Sequence, residues 1–359
     1  VREMSLGLPE INIVFKTKGS TAIERSARGI VVCVLKDDTA GGQMVTVYKS
    51  VADIDFTHFT EDNYNFLKLI YEGSPTKVVV VKLATSSENY NAALKKIKDL
   101  KWNYLTIPGI VPADVTIVSA WIKEQREQSK KTFKAVLPNC AADHEGIINL
   151  TTNSVASTIT GKTHTASEYC ARIAGVLAGL SLDRSSTYYV LTDITSADVP
   201  DDPDERINAG ELIIVFDSEK YKIGRGVNSL TTFTTEKNED VRKIKIVEGM
   251  DLYQDDIRGT YEDYYVGKVI NDYDNKQSFV AAIGSYHKEL LGNVLDRSYD
   301  NTVAVNVEAQ RTYLESRGTD TSEMDDAAIA KANTGSKVFI SSNVKFVDAM
   351  EDLNMEVNM

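Results

Sequence analysis

The run KVVVVKL at Lys77–Leu83 decides the fold class. Four successive β-branched residues without polar alternation mark a strand covered on both faces, as in the middle of a parallel sheet. Working outward, residues 60–71 read as a helix closed by Gly73 and Pro75. Residues 87–100 carry a helical stripe at Tyr90, Leu94 and Ile97, and residues 29–35 form a second strand of the buried type. Further on, residues 103–107, 133–137 and 147–150 read as strands, and residues 113–130 as a helix with Pro112 just before it. Strands alternating with helices imply βαβ crossovers and a mainly parallel sheet.

Beyond residue 150 the pattern becomes mixed. Residues 154–162 suggest a hairpin turning at Thr160 and Gly161, and TASE at 165–168 is a capping box opening a helix that runs to residue 180. The acidic stretch DVPDDPDE at 198–205 reads as a loop, and 211–216 with 222–226 as a second hairpin. Helices follow at 250–265, with a stripe at Tyr253, Ile257, Tyr261 and Tyr264, and at 275–295, with one at Phe279, Ile283, Tyr286 and Leu290. A strand at 302–307, a helix through Tyr313 and a short helix at 326–332 precede two closing β patterns, 337–348 and 352–358. In the last of these Leu353, Met355 and Val357 face one way; at the other end of the chain Ile11, Ile13 and Phe15 alternate in the same manner. An isolated terminal strand needs a sheet edge, which either its own chain or a neighbour provides. The expected class is therefore α/β (α+β overall), with a mainly parallel N-terminal lobe over 21–180 and a mixed C-terminal lobe over 181–348. Strand-forming arms are expected at 1–20 and 349–359.

Composition narrows the function classes. The chain has 359 residues, of which 42% are hydrophobic, enough for a substantial core, and 40 bases against 52 acids give a formal net charge of −12. That acidic excess argues against nucleic acid as a partner. No apolar run approaches a membrane span, and no basic segment followed by an apolar core suggests a signal peptide. Met4 opens MSLGLPEI and reads as the native start. Cys33, Cys140 and Cys170 are odd in number and far apart, which suggests free thiols in a reducing compartment. Charge is uneven: residues 95–134 hold nine bases and four acids, and residues 248–274 hold eight acids and two bases. Such runs are usually solvated faces, but in a self-assembling protein they could form complementary patches between copies.

Candidate chemistry is weak. ASTITGKT at 156–163 fits a loose phosphate-loop pattern with Lys162 on the phosphates and Thr163 on a magnesium ion. Against it, the spacers are β-branched and the capping box starts the helix after the Lys-Thr pair. Cys140 lies near His144 after a strand, where a thiol and an imidazole could make a nucleophile, but the two are four apart in one loop and a buried structural cysteine is the preferred reading. GRGVNSL at 224–230 lacks dinucleotide spacing, and Asp272, Asp274 and Asn275 lack the glycine and distal glutamate of a calcium loop. The four histidines show no metal-ligand spacing. No catalytic, cofactor or metal site is expected; an α/β enzyme using Lys162 or Cys140 is the alternative.

Five stretches in order carry a resemblance. They are GLPEINIVFK at 7–16 with TAIERSARGIVVCVLKDD at 21–38, EYCARIAGVLAGLSLDRSSTYYVL at 168–191, and ELIIVF with YKIGRGVNSLTT between 211 and 232. KIKIVEGMDLYQDDIRGTYEDYYVGKVINDYDNK at 243–276 and ANTGSKVFISSNVKFVDAMEDLNMEVNM at 332–359 complete them. Over nearly its whole length the chain resembles the tail sheath proteins of contractile-tailed bacteriophages and R-type bacteriocins, particularly the short sheaths of Gram-positive bacteria. The resemblance implies a structural subunit without a cofactor, found in a phage virion or bacteriocin particle after assembly in the bacterial cytoplasm. It implies hexameric rings stacked around a tail tube, with the tube, baseplate and tail-terminator proteins as partners, and contraction that drives the tube through an envelope. Carried onto this chain, it makes Leu8, Ile11, Ile13 and Phe15, and Leu353, Met355 and Val357, the arms that add strands to neighbouring subunits. The accepting strand would contain Val344 and Phe346. The chain is shorter than larger sheaths, and the extra outer domains that some of them carry are not expected in it.

Overall fold

A computed structural model describes residues 22–359, so the expected N-terminal strand with Leu8, Ile11, Ile13 and Phe15 lies outside the described residues. The chain forms two compact units. The larger comprises residues 25–259, 290–299 and 344–359; the described part of the smaller comprises 22–24, 260–289 and 300–343. The chain thus passes between units after residues 24, 259, 289, 299 and 343.

In the larger unit the chain runs β1 (Ile30–Lys36), β2 (Val45–Tyr48), α1 (Glu61–Tyr71), β3 (Lys77–Leu83), α2 (Asn91–Ile97), β4 (Tyr104–Thr106), α3 (Pro112–Glu127), β5 (Lys134–Pro138) and β6 (Ile147–Leu150). A hairpin of β7 (Asn153–Ser157) and β8 (Lys162–His164) follows, then α4 (Ala166–Gly179), β9 (Ile194–Asp198) and α5 (Pro203–Asn208). β10 (Glu211–Leu212), β11 (Ile214–Phe216), β12 (Tyr221–Ile223) and α6 (Ile244–Tyr264) come next; the last turn of α6 belongs to the smaller unit.

The main sheet has the order β10-β6-β5-β4-β1-β3-β2. β3 pairs parallel with β1 and antiparallel with β2; the other pairings are parallel. The valine run explains why both faces are covered. Val78 and Val80 join Val31, Cys33 and Leu35 in a core under α1 and α4, while Val79, Val81 and Leu83 join Ile30, Val32 and Val34 in a core under α2 and α3. The period-2 pleat sends alternate side chains to opposite faces, so the middle of a strand with helices on both sides favours apolar residues at successive positions.

Helices α1 and α4 touch backbone to backbone. A Cβ on Gly175 would stand 2.0 Å from the Ile70 carbonyl oxygen, and one on Gly179 would stand 1.7 Å from that of Gly73. The capping box opens α4 as expected, the Glu168 carboxylate accepting from the Thr165 N–H at 2.9 Å.

The smaller unit contains the end of α6, α7 (Tyr273–Leu290, whose final residue falls in the larger unit), β13 (Thr302–Val305), α8 (Val307–Ser316), α9 (Asp326–Lys331) and β14 (Ile340–Asn343). β13 and β14 pair antiparallel. Tyr261, Tyr265 and Phe279 pack ring to ring where α6 meets α7. Among the described residues no helix is long and apolar enough to cross a membrane.

Several expectations need correction. Pro203 at the first turn starts a short helix inside the supposed acidic loop, since proline lacks only a donor that a first turn leaves unused. The supposed hairpin strand 211–216 divides: β10 extends the main sheet beside β6, and only β11 pairs with β12. The strand expected over 337–348 is regular only at β14. Val344 lies beyond it, and Phe346 makes a single bridge to Leu295, flanked by hydrogen bonds from Asp296 N to Lys345 O (2.8 Å) and Val347 N to Val294 O (2.9 Å). Residues 352–358 have no regular secondary structure despite their alternation, because a strand pattern needs a sheet to join.

In an ordinary helix interior Gly→Ala stabilises by up to about 1 kcal/mol. At Gly175 the clash with the Ile70 carbonyl reverses that sign. Gly175→Ala is expected to destabilise the larger unit by about 1–3 kcal/mol, seen as a lower urea midpoint; an unchanged midpoint would mean that α1 and α4 separate freely.

Candidate functional site

The sequence-level catalytic candidates come apart in the structure. Residues 156–163 form the β7–β8 hairpin, with Gly161 at φ 67° in its turn. The Lys162 ammonium lies at the surface, 2.6 Å from Asp62 and 3.4 Å from Glu61, so it meets carboxylates where a phosphate site would need a backbone cradle. Cys140 is buried, and burial pushes its thiol up, away from the thiolate form a nucleophile needs. The His144 ring is engaged elsewhere: Nδ1 accepts from the Gly146 N–H at 2.9 Å, and Nε2 lies 3.5 Å from Glu127. Asp272 caps the turn at Asn275 N (2.8 Å). No cluster of three or more possible metal ligands occurs among the described residues.

The residues that do come together are those of the two charge runs. Lys134 is the first residue of β5 and only 1% exposed. Its ammonium lies 2.5 Å from Asp251 and 2.9 Å from Glu248 on the first turns of α6. Arg126 of α3 donates twice to Asp251, at 2.9 and 3.2 Å, and its Nε lies 3.5 Å from Glu145. Arg28 pairs with Glu248, and the Tyr104 hydroxyl of β4 donates to Glu248 at 2.5 Å. Thr132 donates to Asp255 at 2.7 Å. Glu248, Asp251 and Asp255 are three and four residues apart, so they line one face of α6.

Burial opposes ionisation of Glu248, yet Arg28 and Lys134 hold its carboxyl well below the usual carboxylate range. Burial pushes Asp255 up and brings His144 down to about 4. Parts of the acidic and basic runs thus neutralise each other inside one subunit, and these parts are not patches between copies. Lys95, Lys96, Lys98 and Lys101 remain exposed, as do Glu262, Asp263, Asp272 and Asp274.

Sequence reasoning missed this cluster. The available signal was the helical spacing of the three carboxylates together with a lysine inside an otherwise apolar strand, TFKAVLP. Of the expected arm residues, Leu353, Met355 and Val357 are 87%, 70% and 68% exposed, as are the residues between them.

Comparison with known proteins gives this arrangement its context. The phage tail sheath protein central domain family matches residues 84–229, and the phage tail sheath C-terminal domain family matches 236–359. A tail sheath protein of Clostridium phage phiCD119 is 38% identical over 98% of this chain and 99% of its own length. The chain belongs to the phage tail sheath family. Sheath proteins are structural components of the phage particle and not enzymes, which accords with the loss of both catalytic candidates. The sheath fold recurs in two solved structures of low identity. A sheath tail protein from Desulfitobacterium hafniense superposes with a TM-score of 0.68 at 15% identity, over 83% of this chain and 94% of that one. The anti-feeding prophage helical sheath, solved in its contracted state, superposes with a TM-score of 0.71 at 14% identity over 99% of both chains.

Two measurements test this account. Glu248→Gln removes the nearest carboxylate of Arg28 and leaves Lys134 with Asp251 alone, and is expected to cost about 3–5 kcal/mol at pH 7 in urea unfolding. In the parent sheath, the Glu248 contribution is complete above the ordinary carboxylate value and fades as pH falls through its lower folded value. The His144 contribution, with its folded value near 4, fades as pH falls from about 6.5 toward 4. Both losses run the same way, so stability should decline in acid, and less steeply in Glu248→Gln; parallel acid profiles would remove Glu248 from the account. Lys162→Ala should leave the urea midpoint unchanged, and calorimetry should detect no nucleotide binding before or after the change.

Proposed function

We propose that this sheath protein assembles as stacked hexameric rings around a tail tube and contracts to drive the tube through a bacterial envelope. The tail tube, baseplate and tail-terminator proteins are its partners, and it is made and assembled in the host cytoplasm. The observation that carries this reading is the C-terminal segment: three alternating apolar side chains, exposed, in a stretch that joins no sheet, while each strand among the described residues pairs with another. In this reading Leu353, Met355 and Val357 add a strand to a neighbouring copy around Val344 and Phe346, and Leu8, Ile11, Ile13 and Phe15 do so at the other end.

Strand addition suits a lattice that rearranges. Its hydrogen bonds are main chain to main chain and tolerate rotation of the attached bodies. The free energy of contraction then lies in body–body contacts that differ between two arrangements. The exposed lysines of 95–101 and the exposed carboxylates of 262–274 are charges left over for such contacts, which makes association sensitive to salt.

Deleting residues 352–359 should leave folded, soluble subunits that form no tubes or ring stacks in negative-stain electron microscopy. Normal tubes from the truncated protein would remove the arm from the mechanism.

A further inference from the structure

The C-terminal segment is held around Glu351. Met350 is exposed and so are Leu353, Met355 and Val357, yet the Glu351 side chain is only 4% exposed. Its carboxylate accepts from Ser185 Oγ at 2.8 Å, Thr187 Oγ1 at 2.6 Å and Lys243 Nζ at 2.5 Å. These donors come from separate places: the loop after α4 and the residue just before α6. Arg225, just after β12, adds a third, with its Nε 3.8 Å from Glu351. The neighbouring carboxylates share the same bases, Asp348 at 3.0 Å from Lys243 and Asp352 paired with Arg225. The GRGVNSL stretch, which matched no ligand motif, has its role here. A Cβ on Gly226 would stand 2.5 Å from Ser186 Oγ, and the Gly226 N–H donates to Thr187 Oγ1 at 2.9 Å. The hydroxyl that donates to Glu351 is therefore itself held in place.

We infer that Glu351 is a positioning residue for assembly: it fixes the point and direction from which residues 352–359 leave the body toward a second copy of this chain. The inference rests on the strand-donation reading above. Eight residues extended at about 3.3 Å each reach roughly 26 Å from that anchor. Without it the loose segment begins nearer β14, and more residues must be ordered when copies join. A longer, undirected tether also lowers the effective concentration of the arm at its acceptor. Thr187, Ser185, Arg225 and Lys243 act through Glu351 and are not expected to touch the partner.

The test compares the full chain with Glu351→Gln, Glu351→Asp and the 352–359 deletion. Hydrogen exchange of residues 344–352 is followed in unassembled subunits, and the critical concentration for polymerisation is followed by sedimentation. Glu351→Gln should stay folded by circular dichroism, exchange at least tenfold faster over 348–352, and need at least tenfold more protein to polymerise. Glu351→Asp should fall between it and the parent. If Glu351→Gln polymerises at the parental concentration while the deletion does not, the anchor is refuted and strand donation stands. If the deletion itself polymerises normally, strand donation fails and the anchor's role in assembly fails with it. Should Glu351→Gln not fold, the double change Ser185→Ala with Thr187→Val removes two of the donors and is judged by the same two readings.

Discussion

A lysine at the head of a core strand is the constraint on which the larger unit depends. Lys134 begins β5 and is buried, and a buried ammonium is costly unless it is paired, so something must bring carboxylates to it. Glu248 and Asp251 do so, and they lie on α6, more than a hundred residues further along. The position of that long helix is therefore tied to the centre of the parallel sheet by an ionic contact as well as by apolar packing. Such clusters are seldom more stabilising than well-packed hydrophobic residues would be, but breaking one leaves an uncompensated charge. The contact thus gives one docking of α6 and penalises others: Arg28, Arg126 and Tyr104 all converge on the same two carboxylates from different elements.

How much of this was legible follows from the kind of signal each residue carries. β3 was read at its observed bounds, because four valines between lysines have no other ready explanation. Thr165 and Glu168 placed the start of α4 for the same reason: a capping box is local chemistry. α6 was read too short, from residue 250 instead of Ile244, because its buried stripe mixes Ile244 and Val247 with Glu248 and Asp251. Hydrophobic periodicity counts carboxylates as solvent-facing, and only the tertiary partners reveal otherwise. Residues 352–358 failed in the opposite sense: alternation was present, but a strand is a relation between two segments and the second is not supplied by this stretch of chain. Glu351 was illegible altogether, since one glutamate among several near the C-terminus carries no pattern.

The same distinction explains the false chemistry. Lys162 and Cys140 looked reactive because motifs record residue order, and reactivity depends on surroundings. One lysine ended beside two carboxylates on a hairpin, and one thiol ended in a core. The contraction proposed above has little need of either, because its work would come from the difference between two packings of the same surfaces.

The Glu351 contact also has a mechanical side. A pull on the last eight residues meets this carboxylate before it reaches any strand of the main sheet. There the load divides among the loop after α4, the turn after β12 and the head of α6, which are hydrogen-bonded to one another. Several bonds strained together resist far better than bonds opened one after another, as in a zipper. In subunits linked by the strand donation proposed above, tension would thus enter each body at a reinforced point and spread through it, sparing the isolated bridge at Phe346.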